Sequence, residues 1–382
     1  MNLIKGKIVK ENGIEDGFLR FDGGTIVDTV THATNEDYVD MSGCYIVPGF
    51  IDLHIHGIHR YLADNGVDDL VQICGILPRY GVTGFLPTIA PRPAGEDALF
   101  LQGLVSANTD GSCILGFHLE GPFLKLTGAL SSDAITGATT ERVESLIKAA
   151  QPYKAIFSIS PDVEGIEMLI PLMAAGNTPV FITHTAANVQ QTQQAIELGA
   201  RHATHFYDVF PCPPVTEPGV RPCGTVESIL ADRRVSVDFI LDGVHVDPVA
   251  VKMALVAKSQ GPGRVCLITD ANVGAGLEPG RFTFGASGEV YFETKGGPAR
   301  LVSDNGLAGS GLTMDQALRN AVKMLGLDLH EAAKLVSANP AEVIGLSERK
   351  GKLKAGYDAD FVILNNQLEV VQTWISGKCL YK

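Results

Sequence analysis

Two histidines separated by one residue, His54 and His56, lie at the end of an apolar run that begins at Phe50. If this run is a β-strand, side chains at positions i and i+2 point to the same face, so the two imidazoles converge on one point. Neutral imidazoles are good ligands for Zn and Fe. The pair therefore predicts half of a metal site. Two histidines buried for packing would have the same spacing, so the prediction depends on further ligands from elsewhere in the chain.

Further side chains that could bind a metal lie at the ends of later apolar runs. Seven of the ten histidines lie on or just after such runs, whereas packing or surface histidines would be scattered more widely. Glu120 could ligate one metal ion or bridge two. His205 is nearer to its strand end than His202, which faces the other way and is assigned to packing. The remaining candidates are His184, His245 after Asp242, and His118, which we expect to orient Glu120.

Asp270 is the candidate for proton transfer, because it closes the apolar run that starts at Val265. Hydrolysis at a metal site needs a carboxylate that accepts a proton from water and returns it to the leaving group. An aspartate in this position could instead cap a following helix. The clustered histidines favour the acid/base role.

Eight apolar runs, many of them separated by helical patterns, could position these side chains. Alternating strands and helices over about 250 residues are typical of a (β/α)8 TIM barrel. An open doubly wound sheet is the alternative, but it would usually have a glycine-rich phosphate turn after its first strand. In a barrel the carboxyl ends of the strands meet at one face, where active sites lie. The predicted strands are 50–56, 83–89, 113–120, 155–160, 179–184, 201–206, 235–241 and 265–270.

Both ends of the chain are rich in short β-type runs separated by Gly, Asn and Asp turns. The simplest arrangement pairs them in one small β-sandwich domain beside the barrel. The predicted fold class is therefore α/β. Residues 1–48 plus 346–382 would form the β domain, and residues 49–345 would form a metal-dependent TIM-barrel hydrolase domain.

The charge balance narrows the range of partners. The 382 residues include 30 Lys and Arg against 43 Asp and Glu, a net charge of −13. We therefore expect a small-molecule substrate and neither a nucleic-acid nor a membrane partner. The seven cysteines are scattered and form no CxxC pair, so reduced thiols in the cytoplasm fit best. We expect neither a signal peptide nor a membrane span, because no apolar run approaches the roughly 18 residues that a span needs.

These motifs resemble the amidohydrolase superfamily and, within it, the N-acetylglucosamine-6-phosphate deacetylase family. The resemblance extends over nearly the whole chain. The run 48–57 is similar to the HxH strand of the superfamily, and His118-Leu119-Glu120-Gly121-Pro122-Phe123 is the most specific match. Similar segments follow at 81–83, 203–205, 242–245, 269–271, 307–310 and 356–362.

The resemblance implies a role for each matched residue. Glu120, His184 and His205 would ligate one divalent metal ion (Zn, Fe, Mn or Co), and Asp270 would be the general acid/base. His54 and His56 are both present, which allows a second ion with Glu120 bridging. Proteins of this family are often homodimers that share phosphate contacts. The implied substrate-binding residues are His245, Asp208, Val209 and Leu307.

Three positions depart from the family pattern. Leu130 stands where the family has a histidine, and Thr216 stands where it has an arginine that grips phosphate. Asp208 replaces an asparagine. Arg221 could compensate for the missing arginine as a substrate-binding residue. The first two changes remove groups that would hold a sugar phosphate, and the third adds a negative charge near it.

The expected activity is metal-dependent hydrolysis of an N-acetyl amide. The leading substrate is N-acetylglucosamine 6-phosphate, which would give glucosamine 6-phosphate and acetate. One alternative is an amidohydrolase that acts on a different N-acyl compound or a cyclic amide without phosphate. A non-catalytic binding protein on the same fold is a further alternative, but it would be indicated by loss of the aspartate or the ligands, and neither is lost.

Overall fold

Parallel strands alternate with helices through the middle of the chain, and antiparallel strands lie at both ends. The structure, a computed structural model, describes residues 2–32, 37–107, 109–285 and 288–382. The predicted domain segment 1–48 includes residues 1 and 33–36, which lie outside the described residues. The strands are β1 (Asn2–Lys10), β2 (Gly13–Asp22), β3 (Thr25–Val30), β4 (Val39–Pro48), β5 (Phe50–Ile55), β6 (Gly57–Ile58), β7 (Tyr61–Leu62), β8 (Val82–Ile89), β9 (Cys113–Ile114), β10 (Phe117–Glu120), β11 (Ala155–Ile159), β12 (Val180–Ile182), β13 (Ala200–Ala203), β14 (Ser236–Ile240), β15 (Val265–Ile268), β16 (Arg281–Thr283), β17 (Glu289–Tyr291), β18 (Pro298–Leu301), β19 (Leu307–Ser310), β20 (Phe361–Leu364), β21 (Val370–Ile375) and β22 (Lys378–Tyr381).

The helices between the barrel strands begin and end with local signals. The side chain of Asn188 accepts a hydrogen bond from Gln191 N and the Gln191 side chain accepts one from Asn188 N, a capping box that starts α5. Among the described residues, no helix is long and apolar enough to cross a membrane. The α-helices are α1 (Val67–Ile76), α2 (Glu96–Val105), α3 (Thr140–Ala150), α4 (Ile170–Met173), α5 (Val189–Leu198), α6 (Thr225–Ala231), α7 (Pro248–Ala257), α8 (Met314–Asn320), α9 (Leu329–Val336) and α10 (Ala338–Val343).

Eight parallel strands form a nearly closed barrel, which confirms the predicted fold class. They pair in the order β5-β8-β10-β11-β12-β13-β14-β15. Every residue of β5, β8 and β11 is buried, as expected for strands covered on both faces. The first and last strands meet through hydrogen bonds from His56 N to Ala271 O (3.0 Å) and from Asp270 N to His54 O (2.9 Å). This closure brings the first two histidines and Asp270 together.

Strands from both chain ends form a separate sheet with the order β22-β21-β20-β4-β1-β2-β3. In a flat sheet, β2 and β20 would be about 14 Å apart, because two strands lie between them at about 4.8 Å per step. Yet the ring of Phe21 in β2 lies 5.3 Å from that of Phe361 in β20 and 5.4 Å from that of Trp374 in β21. The sheet therefore curls over its own apolar core. The division of the chain into two domains stays a prediction.

A small antiparallel sheet interrupts the chain between β15 and α8, and the sequence patterns did not predict it. Its strands pair in the order β16-β17-β18-β19. Phe284, Val290 and Phe292 are buried in its own core cluster. The end of β19 is hydrogen-bonded to the segment that carries Asp270, from Ser310 N to Asp270 O (2.8 Å). The sheet is thus attached beside the carboxyl end of the last barrel strand.

Candidate metal centre and active site

Glu120, the last residue of β10, lies between two pairs of histidines. Its Oε1 atom is 2.9 Å from Nε2 of His205 and 3.2 Å from Nε2 of His184. Its Oε2 atom is 3.2 Å from Nε2 of His56 and 3.6 Å from Nε2 of His54. All five side chains are buried. The structure thus brings together the five residues that the sequence predicts as metal ligands.

The spacing of the donor atoms on the Oε2 side fits a small cation. The Nε2 atoms of His54 and His56 are 3.3 Å apart. Each lies 3.4 Å from Oδ1 of Asp270. A tetrahedral ion with ligand distances of about 2.0–2.1 Å has about 3.3–3.4 Å between neighbouring ligands. These separations therefore match a site formed by His54, His56 and Glu120, with Asp270 at the fourth corner.

The hydrogen bonds of two rings favour the tautomer that a metal ligand needs. Nδ1 of His184 donates to the carbonyl of Leu126 (2.9 Å), and Nδ1 of His205 donates to the carbonyl of Asp208 (3.3 Å). A carbonyl oxygen can only accept, so the proton must lie on Nδ1. In the neutral ring, Nε2 then directs a lone pair at Glu120.

The electrostatics of the cluster also suit a cation. Burial raises the pKa of Asp270, but the charge of His54 and the hydrogen bond from His56 outweigh it and hold the value below the ordinary range. Burial lowers the pKa of His205, but the hydrogen bond and charge of Glu120 outweigh it and raise the value to about 10. The buried carboxylates thus concentrate negative charge where the imidazole nitrogens meet.

Three residues of the cluster have a left-handed backbone at strand ends. The φ angles are 49° at His184, 34° at His205 and 45° at Asp270. Such a conformation costs a residue with a side chain roughly 1–3 kcal/mol and is found where the surrounding structure holds it, often at active sites. Each of the three follows a barrel strand, so the turn redirects its side chain towards the mouth of the barrel.

A small chamber opens above this cluster. Its floor includes Glu120 and Asp270. Leu130, Val209, Phe284 and Leu307 contribute apolar side chains to its wall. None of the described lining residues is an arginine or a lysine. Asp208 adds an acidic side chain to the wall.

The structure places some of the predicted substrate-binding residues in the chamber lining and others outside it. Asp208, Val209 and Leu307 line the chamber. The Nδ1 atom of His245 is 2.7 Å from Oδ2 of Asp242, and its buried Nε2 has no hydrogen-bond partner among the described residues. Neither His245 nor Arg221 belongs to the chamber lining, and the side chain of Arg221 is 77% exposed and paired to Glu227 at 3.2 Å.

The two histidines with secondary roles make specific contacts. The ring of His118 packs edge-on against that of His54, with centroids 4.5 Å apart, and its Nε2 is 2.5 Å from Ser158 Oγ. It therefore supports His54 directly. His202, assigned to packing, has its Nε2 atom 2.6 Å from Oδ2 of Asp238.

Sequence reasoning missed part of the chamber wall. Phe284, Ala308 and Gly309 come from the inserted sheet, and Asn272 follows the last barrel strand. The alternation Phe282-Thr283-Phe284 and the β-branched and aromatic run Val290-Tyr291-Phe292 are strand signals that could have revealed the sheet. The buried carboxylate of Asp238, in the middle of β14, had no such signal.

Comparison with known proteins identifies the family. The model of the amidohydrolase family matches residues 45–380. This chain belongs to the amidohydrolase family. It is therefore a hydrolase. Amidohydrolases are generally dependent on a divalent metal, and this one has two groups of side chains that could hold an ion, His54/His56/Glu120 and Glu120/His184/His205.

Relatives of this amidohydrolase are deacetylases of amino sugar phosphates. It is 33% identical over 361 residues to the N-acetylglucosamine-6-phosphate deacetylase of Lysinibacillus sphaericus, covering 91% of this chain and 88% of the relative. It is 30% identical over 379 residues to the N-acetylgalactosamine-6-phosphate deacetylase of Escherichia coli O157:H7, covering 97% of this chain and 96% of the relative. These matches confirm the resemblance seen in the sequence motifs.

Solved structures agree along the whole chain. The N-acetyl-D-glucosamine-6-phosphate deacetylase of Mycobacterium smegmatis is 26% identical, with a TM-score of 0.89 and coverage of 99% of this chain and 100% of that one. The enzyme of Thermotoga maritima is 28% identical, with a TM-score of 0.85 and coverage of 100% and 99%. This amidohydrolase therefore shares the barrel and the terminal sheet with these deacetylases.

Proposed function

We propose that this amidohydrolase removes the acetyl group from an N-acetylated amino sugar, with N-acetylglucosamine 6-phosphate as the first candidate. The products would be glucosamine 6-phosphate and acetate. One observation carries the proposal, namely that Glu120 lies between two histidine pairs with Asp270 beside it at the floor of a small chamber. The names of the relatives support the choice of substrate.

The proposed cofactor is one or two ions of Zn, Fe, Mn or Co. Glu120, His184 and His205 would hold one ion, and His54, His56 and Glu120 would hold the other. When bound, a divalent cation polarises the amide carbonyl and lowers the pKa of a water molecule from about 15.7 to about 7. Imidazole and carboxylate ligands suit several of these metals, so the donor set leaves the choice among them open.

Asp270 would transfer the proton during hydrolysis. Its buried Oδ1 atom lies 3.4 Å from Nε2 of both His54 and His56, so the carboxylate is placed beside the proposed metal ligands, where it can accept a proton from the attacking water. The same carboxylate would then protonate the amide nitrogen as the C–N bond breaks. The water oxygen ends in acetate and the nitrogen leaves as an amine, so atoms and protons balance.

His245 would orient the substrate. Burial lowers its pKa, but the hydrogen bond and charge of Asp242 outweigh it and raise the pKa above the ordinary value. A protonated ring donates from both nitrogens, so Nδ1 can bind Asp242 while Nε2 donates to an oxygen of the substrate. The unpartnered Nε2 supports this role.

A second candidate function is hydrolysis of an N-acyl compound without phosphate. The chamber lining supports it, because the described lining residues include no arginine or lysine and Leu130 contributes an apolar side chain. Thr216 is exposed, and Arg221 is paired on the surface. The groups expected to hold a phosphate are thus missing from the described lining of this protomer's chamber.

Acetate release from four substrates tests both candidates. Metal-replete enzyme would be assayed with N-acetylglucosamine and N-acetylgalactosamine, each with and without a 6-phosphate. Efficient turnover of a phosphorylated sugar alone supports the first candidate. Preferential turnover of the unphosphorylated sugars supports the second. If no amide is hydrolysed by enzyme with metal bound, both candidates fail.

We also propose a homodimer located in the cytoplasm. The side chains of Val249, Met253 and Val256 are 58%, 52% and 76% exposed at helical spacing on α7, an apolar stripe that a second copy could cover. All seven cysteines are free thiols, which suits a reducing compartment. Sedimentation at several concentrations tests the dimer, and cell fractionation tests the location.

A further inference from the structure

We propose that Asp238, acting through Thr204, is a positioning residue that fixes the tautomer of His54. This hydrogen-bonded chain, called here the Asp238 relay, would make His54 present an unprotonated Nε2 to Glu120. The inference rests on the proposed metal site. Neither Asp238 nor Thr204 lines the chamber, so both would act only through their neighbours.

Asp238 lies in the middle of β14 and is fully buried. Its Oδ1 atom accepts hydrogen bonds from Thr204 Oγ1 (3.1 Å) and from His205 N (2.6 Å). Its Oδ2 atom is 2.6 Å from Nε2 of His202. Thr204 Oγ1 is in turn 3.0 Å from Nδ1 of His54. The relay therefore runs unbroken from a buried carboxylate to a ring of the metal cluster.

The position of each proton follows from the groups involved. Oδ1 of Asp238 already accepts from the backbone N–H of His205, which can only donate, so this oxygen acts as an acceptor and the single hydroxyl proton of Thr204 points to it. Thr204 Oγ1 can then only accept from His54, which places the His54 proton on Nδ1. The lone pair of the neutral ring is left on Nε2, the atom that faces His56 and Glu120. A hydroxyl with no carboxylate behind it would be free to donate to Nδ1 and favour the other tautomer.

The same carboxylate also supports the second half of the cluster. The bond to His205 N holds a residue whose φ angle is 34°, in the left-handed region. His54 belongs to one pair of histidines around Glu120 and His205 belongs to the other. One buried side chain on a neighbouring strand therefore supports both halves of the cluster. Groups that orient metal ligands in this way typically change metal affinity about 10- to 100-fold when they are removed.

The test measures metal affinity, because a purely structural role would alter stability alone. Thr204→Val keeps the shape of the side chain but breaks the relay, whereas Thr204→Ser keeps the hydroxyl. Thr373→Val is the matched control, since Thr373 is a buried threonine of β21 whose hydroxyl has no hydrogen-bond partner among the described residues. Each chelator-treated protein would be titrated with Zn²⁺ against a chromophoric chelator, and its thermal midpoint would be recorded.

We expect Thr204→Val to bind Zn²⁺ about 10- to 100-fold more weakly than wild type. Thr204→Ser and Thr373→Val should bind close to the wild-type affinity. Asp238→Asn should also weaken binding, because an amide does not force the hydroxyl of Thr204 to donate to it. Unchanged Zn²⁺ affinity in Thr204→Val, or equal weakening in Thr204→Ser, would overturn the inference. A wild-type protein that binds no Zn²⁺ would overturn it together with the proposed Zn-competent site.

Discussion

Oδ1 of Asp270 lies 3.4 Å from Nε2 of His56, although the two residues follow the last and first strands of the barrel. The two residues are brought together where the first and last strands meet, and hydrogen bonds to a buried aspartate stabilise this junction. Asp52 Oδ2 accepts a hydrogen bond from Thr269 Oγ1 (2.6 Å), and Oδ1 accepts one from Thr269 N (3.2 Å). Burial raises the pKa of Asp52 to about 7, even though these bonds act in the opposite direction. The position of Asp270, the proposed acid/base, thus depends on the hydrogen bonds that join the end of β15 to β5.

Replacing the proposed acid/base should remove activity and leave the fold intact. Asp270→Asn keeps the size of the side chain but has no carboxylate to accept a proton, so we expect kcat to fall by about 10²- to 10⁴-fold. Acetate release measures the effect, and the thermal midpoint reports the fold. Asp110→Asn, at an exposed position outside the chamber lining, is the control. Activity within a fewfold of wild type in Asp270→Asn would contradict the assigned role.

The number of bound ions should follow the two groups around Glu120. We expect about two metal ions per chain in the wild type and about one in either His56→Gln or His184→Gln, because each change removes a ligand from one group only. Glu120→Gln should lose most of both metal ions, because the two carboxylate oxygens of Glu120 each face one of the two groups. Elemental analysis of purified protein measures the content. A wild type with one ion, unaffected by His56→Gln, would argue for a single-metal site.

Strand ends were predictable from the sequence, because apolar runs that close in a histidine or an acidic residue rarely recur by chance along one chain. The predicted run 179–184 and the observed strand Val180–Ile182 both bring His184 to the mouth of the barrel. The predicted run 113–120 divides into two strands, but Glu120 still ends the second. Periodicity indicates which residues are buried and where a run stops, and this was sufficient to identify the five side chains that the structure brings together around Glu120.

Other features of the site depend on tertiary contacts that a single sequence does not reveal. The left-handed backbone of His205 is held by a carboxylate from another strand, so local propensity could not predict it. Phe284 reaches the chamber from the position just after β16, a strand of only three residues, and so short an alternation does not show which part of the fold the strand joins. The sequence offers Arg221 as a replacement for the missing arginine, whereas in the structure its side chain is exposed and paired with Glu227. Its role in substrate binding stays a prediction.

The charge of Asp208 should influence the choice between phosphorylated and unphosphorylated substrates. Its carboxylate lines a chamber without a described arginine or lysine, so it should repel a phosphate group. We expect Asp208→Asn to raise the ratio of kcat/KM for N-acetylglucosamine 6-phosphate over N-acetylglucosamine by about tenfold, equivalent to roughly 1.4 kcal/mol. Glu217→Gln removes the same charge from an exposed position of the following loop and should leave the ratio unchanged. Equal ratios in all three proteins would show that Asp208 does not face the phosphate.

A buried lysine between α6 and α7 should make the free energy of unfolding rise with pH above about pH 8. Nζ of Lys258, just after α7, donates to the carbonyls of Ile229 (2.5 Å) and Asp232 (2.6 Å) at the end of α6. Burial lowers the pKa of Lys258 to about 8. Lys258→Met keeps the apolar stem but leaves both carbonyls without their donor, so we expect it to lower the free energy of unfolding by about 1–3 kcal/mol at pH 7.

The pH dependence of that difference follows from the lowered pKa. Below about pH 8, Lys258 is protonated in both the folded and the unfolded chain, so the difference between wild type and Lys258→Met is constant. Between about pH 8 and 10.4 the unfolded chain binds the proton more tightly, so the stability of the wild type rises relative to the variant. Urea unfolding at pH 7 and pH 9.5 measures both proteins, with Lys252→Met on the exposed face of the same helix as control. A difference that stays flat or narrows between these pH values would mean that the pKa of Lys258 is not lowered in the folded protein.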